Sequence, residues 1–303
     1  MMKILVTGGC GFIGSHIVDE LLANGHDVLV IDNLSSGYIR NLNKSARFYK
    51  MDFMSLEAER IIKEFTPEVV IHHAAQVSVQ KSMINPVEDA TTNIIGTIKL
   101  LDYCNKAGVR KIIYASSAAV YGNPDYLPIN EDHQIHPISY YGISKYTPEQ
   151  YIRTFCSNNE LNYTILRYAN VFGERQDAKG EGGVVAIFLD RLLNHEPPSL
   201  YGDGEQTRDF IYVKDIVSAN LFVMDKGNND LFNVSTGEGV SLNNLYDLMN
   251  SGLKKNITPI FESPRKGDIL HSYLDNAKLK ALGWAPKFNI ESGLRDVFKN
   301  LNN

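Results

Sequence analysis

The sequence predicts an α/β protein: a doubly wound parallel sheet followed by a smaller α/β C-terminal lobe. Two observations predict it. Short apolar runs alternate with helix-period segments over the first two-thirds of the chain, and the first run ends in a glycine-rich turn that opens a helix. Continuous apolar strands separated by helices imply a parallel sheet covered on both faces.

Ile4 to Thr7 is the first strand. Gly14 to Ala23 has helical spacing, with Ile17, Leu21 and Leu22 on one face and Asp19 and Glu20 elsewhere. Asp27 to Asp32, Arg47 to Met51 and Glu68 to His72 follow as strands; Ser55 to Phe65 reads as a helix ended by Pro67. A long helix is expected within Asn85 to Ala107, a fifth strand at Lys111 to Ala115, a helix at Ser144 to Cys156 and a sixth strand at Tyr163 to Arg167. Pro148 removes a backbone donor inside that helix and predicts a kink. Beyond about Asn170 the pattern loosens. Gly180 to Gly183 leads into a helix at Val184 to Asn194. Phe210 to Val213, Leu231 to Val234 and Thr258 to Phe261 read as short strands, and Leu242 to Gly252 and Ala277 to Leu282 as small helices. The expected division is a dinucleotide-binding (Rossmann) domain over residues 1–170, with a later segment around 207–230 returning to it, and a mainly substrate-binding lobe over 171–303.

At 303 residues, 44% hydrophobic and 21% charged, the composition is globular. A net charge of −5 supplies no basic field for nucleic acid or an anionic membrane. No run approaches the roughly 18 apolar residues of a membrane span, and the first residues enter a strand rather than a signal segment. Cys10, Cys104 and Cys156 are widely spaced and odd in number, so they read as buried small side chains in a reducing compartment. A cytoplasmic protein is expected, with neither nucleic acid nor membrane as partner.

Gly8-Gly9-Cys10-Gly11-Phe12-Ile13-Gly14 follows a strand and opens a helix. Gly8, Gly11 and Gly14 let the chain turn tightly and approach a pyrophosphate, and the helix N-terminus faces it with free N–H groups. Asp32 ends the next strand, where a carboxylate accepts from ribose hydroxyls and repels a 2′-phosphate; this favours NAD over NADP. Ala74 and Ala75, after the fourth strand, leave room for ribose and phosphates. Asp52, by itself, reads as a helix cap.

Tyr141-Gly142-Ile143-Ser144-Lys145 sets Tyr141 and Lys145 one helical turn apart on one face. An ammonium there favours the phenolate and so makes Tyr141 a usable base. Such a base removes a hydroxyl proton while hydride leaves the same carbon for a nicotinamide. Ser116 and Ser117 sit just after the fifth strand, at the sheet end where ligands bind, and a hydroxyl there can hold the reacting oxygen. Tyr140 is the rival base, but its partner four residues on is the uncharged Ser144. Tyr201 suits either a nucleotide base or the core. His72 and His73 have no acidic or thiol residues clustered nearby in sequence, so no metal site is expected.

The glycine turn, Ser116-Ser117-Ala118-Ala119-Val120-Tyr121-Gly122, and Tyr141 with Lys145 together resemble the extended short-chain dehydrogenase/reductases of the NAD-dependent epimerase/dehydratase type. Within them the chain is most similar to the UDP-glucose 4-epimerase group. Asp32-Asn33-Leu34-Ser35-Ser36-Gly37, Leu166-Arg167-Tyr168-Ala169-Asn170, Arg208-Asp209-Phe210-Ile211-Tyr212-Val213 and Arg265-Lys266-Gly267-Asp268 extend the likeness over nearly the whole chain. The resemblance implies that Tyr141 is the base, that Lys145 binds the nicotinamide ribose, and that Ser117 orients the sugar oxygen. It implies that Phe12, Ile13, Asp32, Asn33, Asp52, Phe53, His73, Ala74, Ala75, Asn93 and Ala169 line the NAD site. It implies that Asn170, Arg208, Arg265 and Asp268 hold a nucleotide-diphosphate sugar; arginine forks suit a diphosphate. It also implies a homodimer joined through the long helices near Asn93 to Ala107 and Ser144 to Cys156.

Related dehydratases carry an Asp-Glu pair directly after the hydroxyl residue, where this chain has Ala118-Ala119. Elimination therefore lacks its acid and base, whereas epimerisation at C4 through a transient 4-keto sugar needs no further group. Ala119 and Val171 depart from the threonine and proline frequent in the group. Ser272, four residues after Asp268, stands where a bulky residue narrows the sugar pocket in the family, so UDP-GlcNAc and UDP-GalNAc are expected beside UDP-glucose and UDP-galactose. The alternatives are another nucleotide-sugar epimerase or reductase, such as a UDP-glucuronate 4-epimerase, and a non-catalytic nucleotide-binding protein.

Overall fold

A computed structural model describes residues 1–179, 183–265 and 268–301. Gly180 to Gly182 of the expected helix entry, and Lys266 and Gly267 of the Arg265–Asp268 stretch, lie outside the described residues. The chain opens with β1 (Lys3–Thr7), α1 (Phe12–Ala23), β2 (Asp27–Asp32), β3 (Arg47–Lys50), α2 (Leu56–Phe65) and β4 (Val69–His72). Then come α3 (Val79–Ile84), α4 (Pro86–Ala90), a π-helical turn (Thr91–Ile95), α5 (Gly96–Lys106), β5 (Lys111–Ser117), α6 (Tyr140–Ser157) and β6 (Asn162–Tyr168). The second half holds β7 (Asn170–Phe172), α7 (Val184–Leu193), β8 (Ser199–Tyr201), β9 (Thr207–Arg208), β10 (Phe210–Tyr212), α8 (Val213–Phe222) and β11 (Asp230–Val234). It ends with β12 (Val240–Ser241), α9 (Leu242–Gly252), β13 (Ile260–Glu262), β14 (His271–Ser272), α10 (Ala277–Leu282) and α11 (Ile290–Asn300).

Seven parallel strands form the main sheet, in the order β11-β6-β5-β4-β1-β2-β3. Strand side chains alternate between faces, which is why uninterrupted apolar runs are required. Ile4 and Val6 of β1 join a core with Ile17 and Leu21 of α1 and Ile216 of α8. Leu5 of the same strand joins the opposite core, with Ile61, Leu100 and Ile152 from α2, α5 and α6. The strand order reverses between β1 and β4, and this switch point opens a crevice at the strands' C-terminal ends.

Leu231 to Val234 belongs to this sheet and not to the C-terminal lobe: β11 pairs in register with β6, from Asp230 opposite Thr164 to Val234 opposite Tyr168. The returning segment therefore runs past residue 230, because the edge of β6 is covered only when those apolar residues pair with it. Helix α6 begins at Tyr140, four residues before the expected start, capped by the Ser139 side chain accepting from Gly142 N–H at 3.0 Å. Its first turn faces the crevice and so lacks apolar periodicity. The helix continues through the buried Pro148. The expected Asn85–Ala107 helix is continuous through the π turn, a local extra residue per turn that marks functional segments in helices. Cys10, Cys104 and Cys156 are free and buried.

A third core, including Phe172, Phe188, Tyr246 and Leu294, fills the lobe. Asp209 ties the lobe to the sheet. Its buried carboxylate accepts from Thr236 N–H at 3.0 Å, the Thr236 hydroxyl at 2.7 Å, Gly237 N–H at 3.1 Å and Leu274 N–H at 3.3 Å. Replacing Asp209 with alanine leaves these donors without an acceptor, and unsatisfied buried groups cost about 1–3 kcal/mol each. The expected result is a Tm lowered by more than about 5 °C, measured by scanning calorimetry.

Candidate active site

The crevice has a volume of about 310 Å³ and is lined from both sides of the switch point. Gly8, Gly11, Phe12, Ile13 and Gly14 form one wall; Asp32, Asn33, Phe53, His73, Ala74 and Ala75 follow from the adjoining strand ends. Gly8 has a left-handed φ of 72°, and a Cβ there would lie 2.6 Å from Ala74 N. A Cβ on Gly14 would lie 2.3 Å from the Gly8 carbonyl oxygen. The turn is thus as tight as close approach to a pyrophosphate requires. Helix α1 has no side-chain cap, so its first N–H groups stay available to an anion. Asp32 accepts from Cys10 N–H at 2.9 Å and from Leu34 N–H at 2.8 Å. One carboxylate thereby fastens the glycine turn and retains lone pairs for ribose hydroxyls. These residues fit a dinucleotide.

Ser117, Tyr141, Lys145, Ala169 and Asn170 line the same crevice. Helix α6 places Tyr141 and Lys145 one turn apart, and Tyr141 N–H donates to the Ser82 hydroxyl at 3.1 Å, which anchors the helix start on α3. Ser117 ends β5 rather than following it, and its hydroxyl oxygen accepts from Ala119 N–H at 3.2 Å. Lys145 is only 5% exposed, and its ammonium lies 4.9 Å from the centre of the Tyr114 ring. Burial pushes its pKa down to about 8, against the opposing pull of Glu149 and Asp89. Burial likewise pushes His72 and His73 down to about 3, with the Lys145 charge adding to the effect, so both are neutral. His72 bridges the hydroxyls of Thr7, at 2.7 Å, and Thr97, at 3.1 Å. His73 stacks on Tyr168 with ring centres 5.8 Å apart. Among the described residues no group of His, Cys, Asp and Glu is arranged to hold a metal ion, and no helix is long and apolar enough to cross a membrane.

A family model described as the NAD-dependent epimerase/dehydratase family matches residues 4–235. The chain belongs to that family. Its fold follows a UDP-glucose 4-epimerase of Thermotoga maritima, crystallised with UDP-glucose, at 48% identity and a TM-score of 0.96, covering 100% of both chains. A Thermus thermophilus UDP-glucose 4-epimerase, in complex with NAD, shares 39% identity over 100% of this chain and 99% of that one, with a TM-score of 0.93. A UDP-N-acetylglucosamine 4-epimerase of Methanobrevibacter ruminantium, in complex with UDP-N-acetylmuramic acid, shares 38% identity over 99% of this chain and 98% of that one, with a TM-score of 0.94.

Not every expected residue of this family member reaches the crevice. Asp52 is exposed and accepts from Met54 N–H at 2.8 Å, while its neighbours Met51 and Phe53 line the crevice. Asn93 is 2% exposed; its side chain accepts from Gln76 N–H at 2.8 Å and donates to the Gln76 carbonyl at 3.0 Å and the Ser144 hydroxyl at 2.9 Å. Asn93 thus braces the loop after β4 against α6. Tyr201, Arg208, Arg265, Asp268 and Ser272 gather in the lobe. Arg265 lies 3.6 Å over the Tyr201 ring, Arg208 pairs with Asp268 at 3.2 Å, and Ser272 sits beside Arg208 in register. Sequence reasoning passed over Gln76, Asp89 and Glu149; Glu149 alone carried a signal, as the third polar residue at helical spacing after Tyr141 and Lys145.

Gly14→Ala is expected to drive the new methyl against the Gly8 carbonyl and spoil the turn. Bound NAD, released by denaturing purified protein and quantified, should fall at least about tenfold, a loss of at least 1.4 kcal/mol.

Proposed function

We propose that the chain is an NAD-dependent C4 epimerase of UDP-hexoses, interconverting UDP-glucose and UDP-galactose. One observation carries this reading: Ser117, Tyr141 and Lys145 converge on the crevice that the glycine turn opens. The full-length likeness to UDP-glucose 4-epimerases supports the substrate. Bound beside the glycine turn, NAD would supply the hydride acceptor and donor for the sugar's C4, so the reaction would consume no reductant. Lys145 favours the Tyr141 phenolate, which takes the C4 hydroxyl proton and later gives it back. Ser117 hydrogen-bonds the reacting oxygen and holds it beside Tyr141. Phe12, Ile13, Asp32, Asn33, Phe53, His73, Ala74, Ala75 and Ala169 would hold the dinucleotide. Arg208 and Arg265 would grip the diphosphate, Asp268 would accept from the nucleotide ribose hydroxyls and Asn170 would help hold the nucleotide-diphosphate sugar, leaving the keto sugar free to turn over.

Ser272 suggests a wider sugar range. A short side chain beside Arg208 leaves space for a 2-acetamido group, and a UDP-N-acetylglucosamine 4-epimerase is among the similar structures. We also assign a homodimer joined through the long helices near Asn93 to Ala107 and Ser144 to Cys156, on which Ile95 and Tyr151 are exposed, and place the protein in the cytoplasm.

Purified protein incubated with UDP-glucose, without added cofactor, should yield UDP-galactose by anion-exchange chromatography; unchanged substrate would refute the reading. Tyr141→Phe should lower kcat at least about 100-fold. Because Lys145 loses its proton as pH rises through about 8, the phenolate loses its partner above that value. Activity should therefore fall on the alkaline side of a kcat–pH profile. UDP-GlcNAc should also be epimerised, and Ser272→Tyr should remove that turnover while retaining UDP-glucose turnover.

A further inference from the structure

Behind Lys145 lies a buried ion pair that the proposed chemistry leaves unused. Glu149 follows Lys145 by one turn of α6 and is 0% exposed; Arg167, on β6, is 2% exposed. Glu149 Oε1 accepts from Arg167 Nε at 2.9 Å and from the Ser116 hydroxyl at 2.5 Å, while Oε2 accepts from Arg167 Nη2 at 2.6 Å. Ser116 and Arg167 stand opposite each other on β5 and β6, one residue before Ser117 and Tyr168. Arg167 also lies 4.8 Å over the Tyr121 ring, and its Nη1 has no hydrogen-bond partner among the described residues.

Buried pairs of this kind contribute little net stability compared with apolar residues of the same volume. Placement explains this one better. We propose that Glu149, held by Arg167, is a positioning residue: it locks the helix bearing Tyr141 and Lys145 to the strand end bearing Ser117, and it supplies the countercharge for Lys145. The assignment rests on the proposed roles of Tyr141 and Lys145.

The groups facing Lys145 come from four elements. Its own helix presents Glu149, with Tyr141 one turn before Lys145 on the crevice, α4 presents Asp89, the end of β4 presents His72 and His73, and β5 presents Tyr114; Arg167 of β6 lies beyond Glu149. Both histidines are neutral, so the anions opposing the burial of Lys145 are Glu149 and Asp89. Removing the Glu149 charge makes the ammonium easier to deprotonate. Removing the Arg167 charge leaves Glu149 uncompensated and makes the ammonium harder to deprotonate.

The test compares Glu149→Gln, Arg167→Met and the double variant with the wild-type holoenzyme. The alkaline limb of the kcat–pH profile should move down by about one pH unit in E149Q and up in R167M. For E149Q, kcat should drop about tenfold while KM for UDP-glucose changes less than about twofold, because the diphosphate contacts lie in the lobe. Pairing R167M with E149Q should restore the thermal stability lost in each single variant without restoring the wild-type limb. A merely structural pair predicts otherwise: limbs that do not move, or a double variant that recovers both stability and profile, would overturn the assignment. The fluorescence of added NADH, titrated against pH, reports the charge beside the nicotinamide ribose without turnover and should show the same opposed shifts. Opposed NADH shifts in a protein that leaves UDP-sugars unchanged would refute the substrate reading and sustain the positioning role. Should E149Q fail to fold, the upward shift in R167M alone decides: its absence overturns the proposal.

Discussion

An ammonium group held inside a protein is poorly solvated, and the surroundings of Lys145 counter that disadvantage. Burial lowers its pKa to about 8, and the nearby carboxylates of Glu149 and Asp89 oppose the fall. The balance leaves a positive charge that persists near neutrality yet is only weakly hydrated. A charge held in a low-dielectric surrounding acts strongly on any ionisable group beside it, because such surroundings screen it little. The neutral histidines at the end of β4 suit the same need, since a second cation there would weaken the first.

The sheet supplies the geometry. Reversal of strand order between β1 and β4 brings the glycine turn, the small residues Ala74 and Ala75, and the Ser117 end of β5 to one crevice. Helix α6 then enters with its first two turns, bearing Tyr141 and Lys145, on the crevice and its third turn fastened below it through Glu149. The lobe contributes a separate set of cationic and aromatic side chains, linked to the sheet through Asp209.

Much of this was legible in the sequence. Each of the first six strands was placed within two residues or so, because parallel strands buried on both faces must be apolar throughout. The glycine turn was readable because few other residue types permit that backbone, and the fold brings it to the crevice together with Asp32. The spacing of Tyr141 and Lys145 put them on one helix face, and the fold brings both to the crevice with Ser117. What escaped were features set by tertiary partners. Val234 could not be assigned to the main sheet before its pairing with Tyr168 was known. The hydrogen bonds by which Asn93 braces Gln76 and Ser144 could not be read before those partners were brought to it by the fold. Helix α11 went unread although both of its signals stand in the sequence: Asn289 and Ser292 form a capping box at its start, and Ile290, Leu294, Val297 and Phe298 keep helical spacing.

The return of β11 to the sheet has an architectural consequence. Because the chain leaves the sheet after β6, builds part of the lobe and then comes back beside β6, the two halves are interlaced rather than strung in tandem. A fragment ending near Asn170 would present a bare strand edge and would lose α8 from one face. Evolution can therefore vary the lobe by reshaping its loops, but it cannot readily exchange the lobe as a cassette. Recognition of the ligand and handling of its reactive carbon are obliged to descend together.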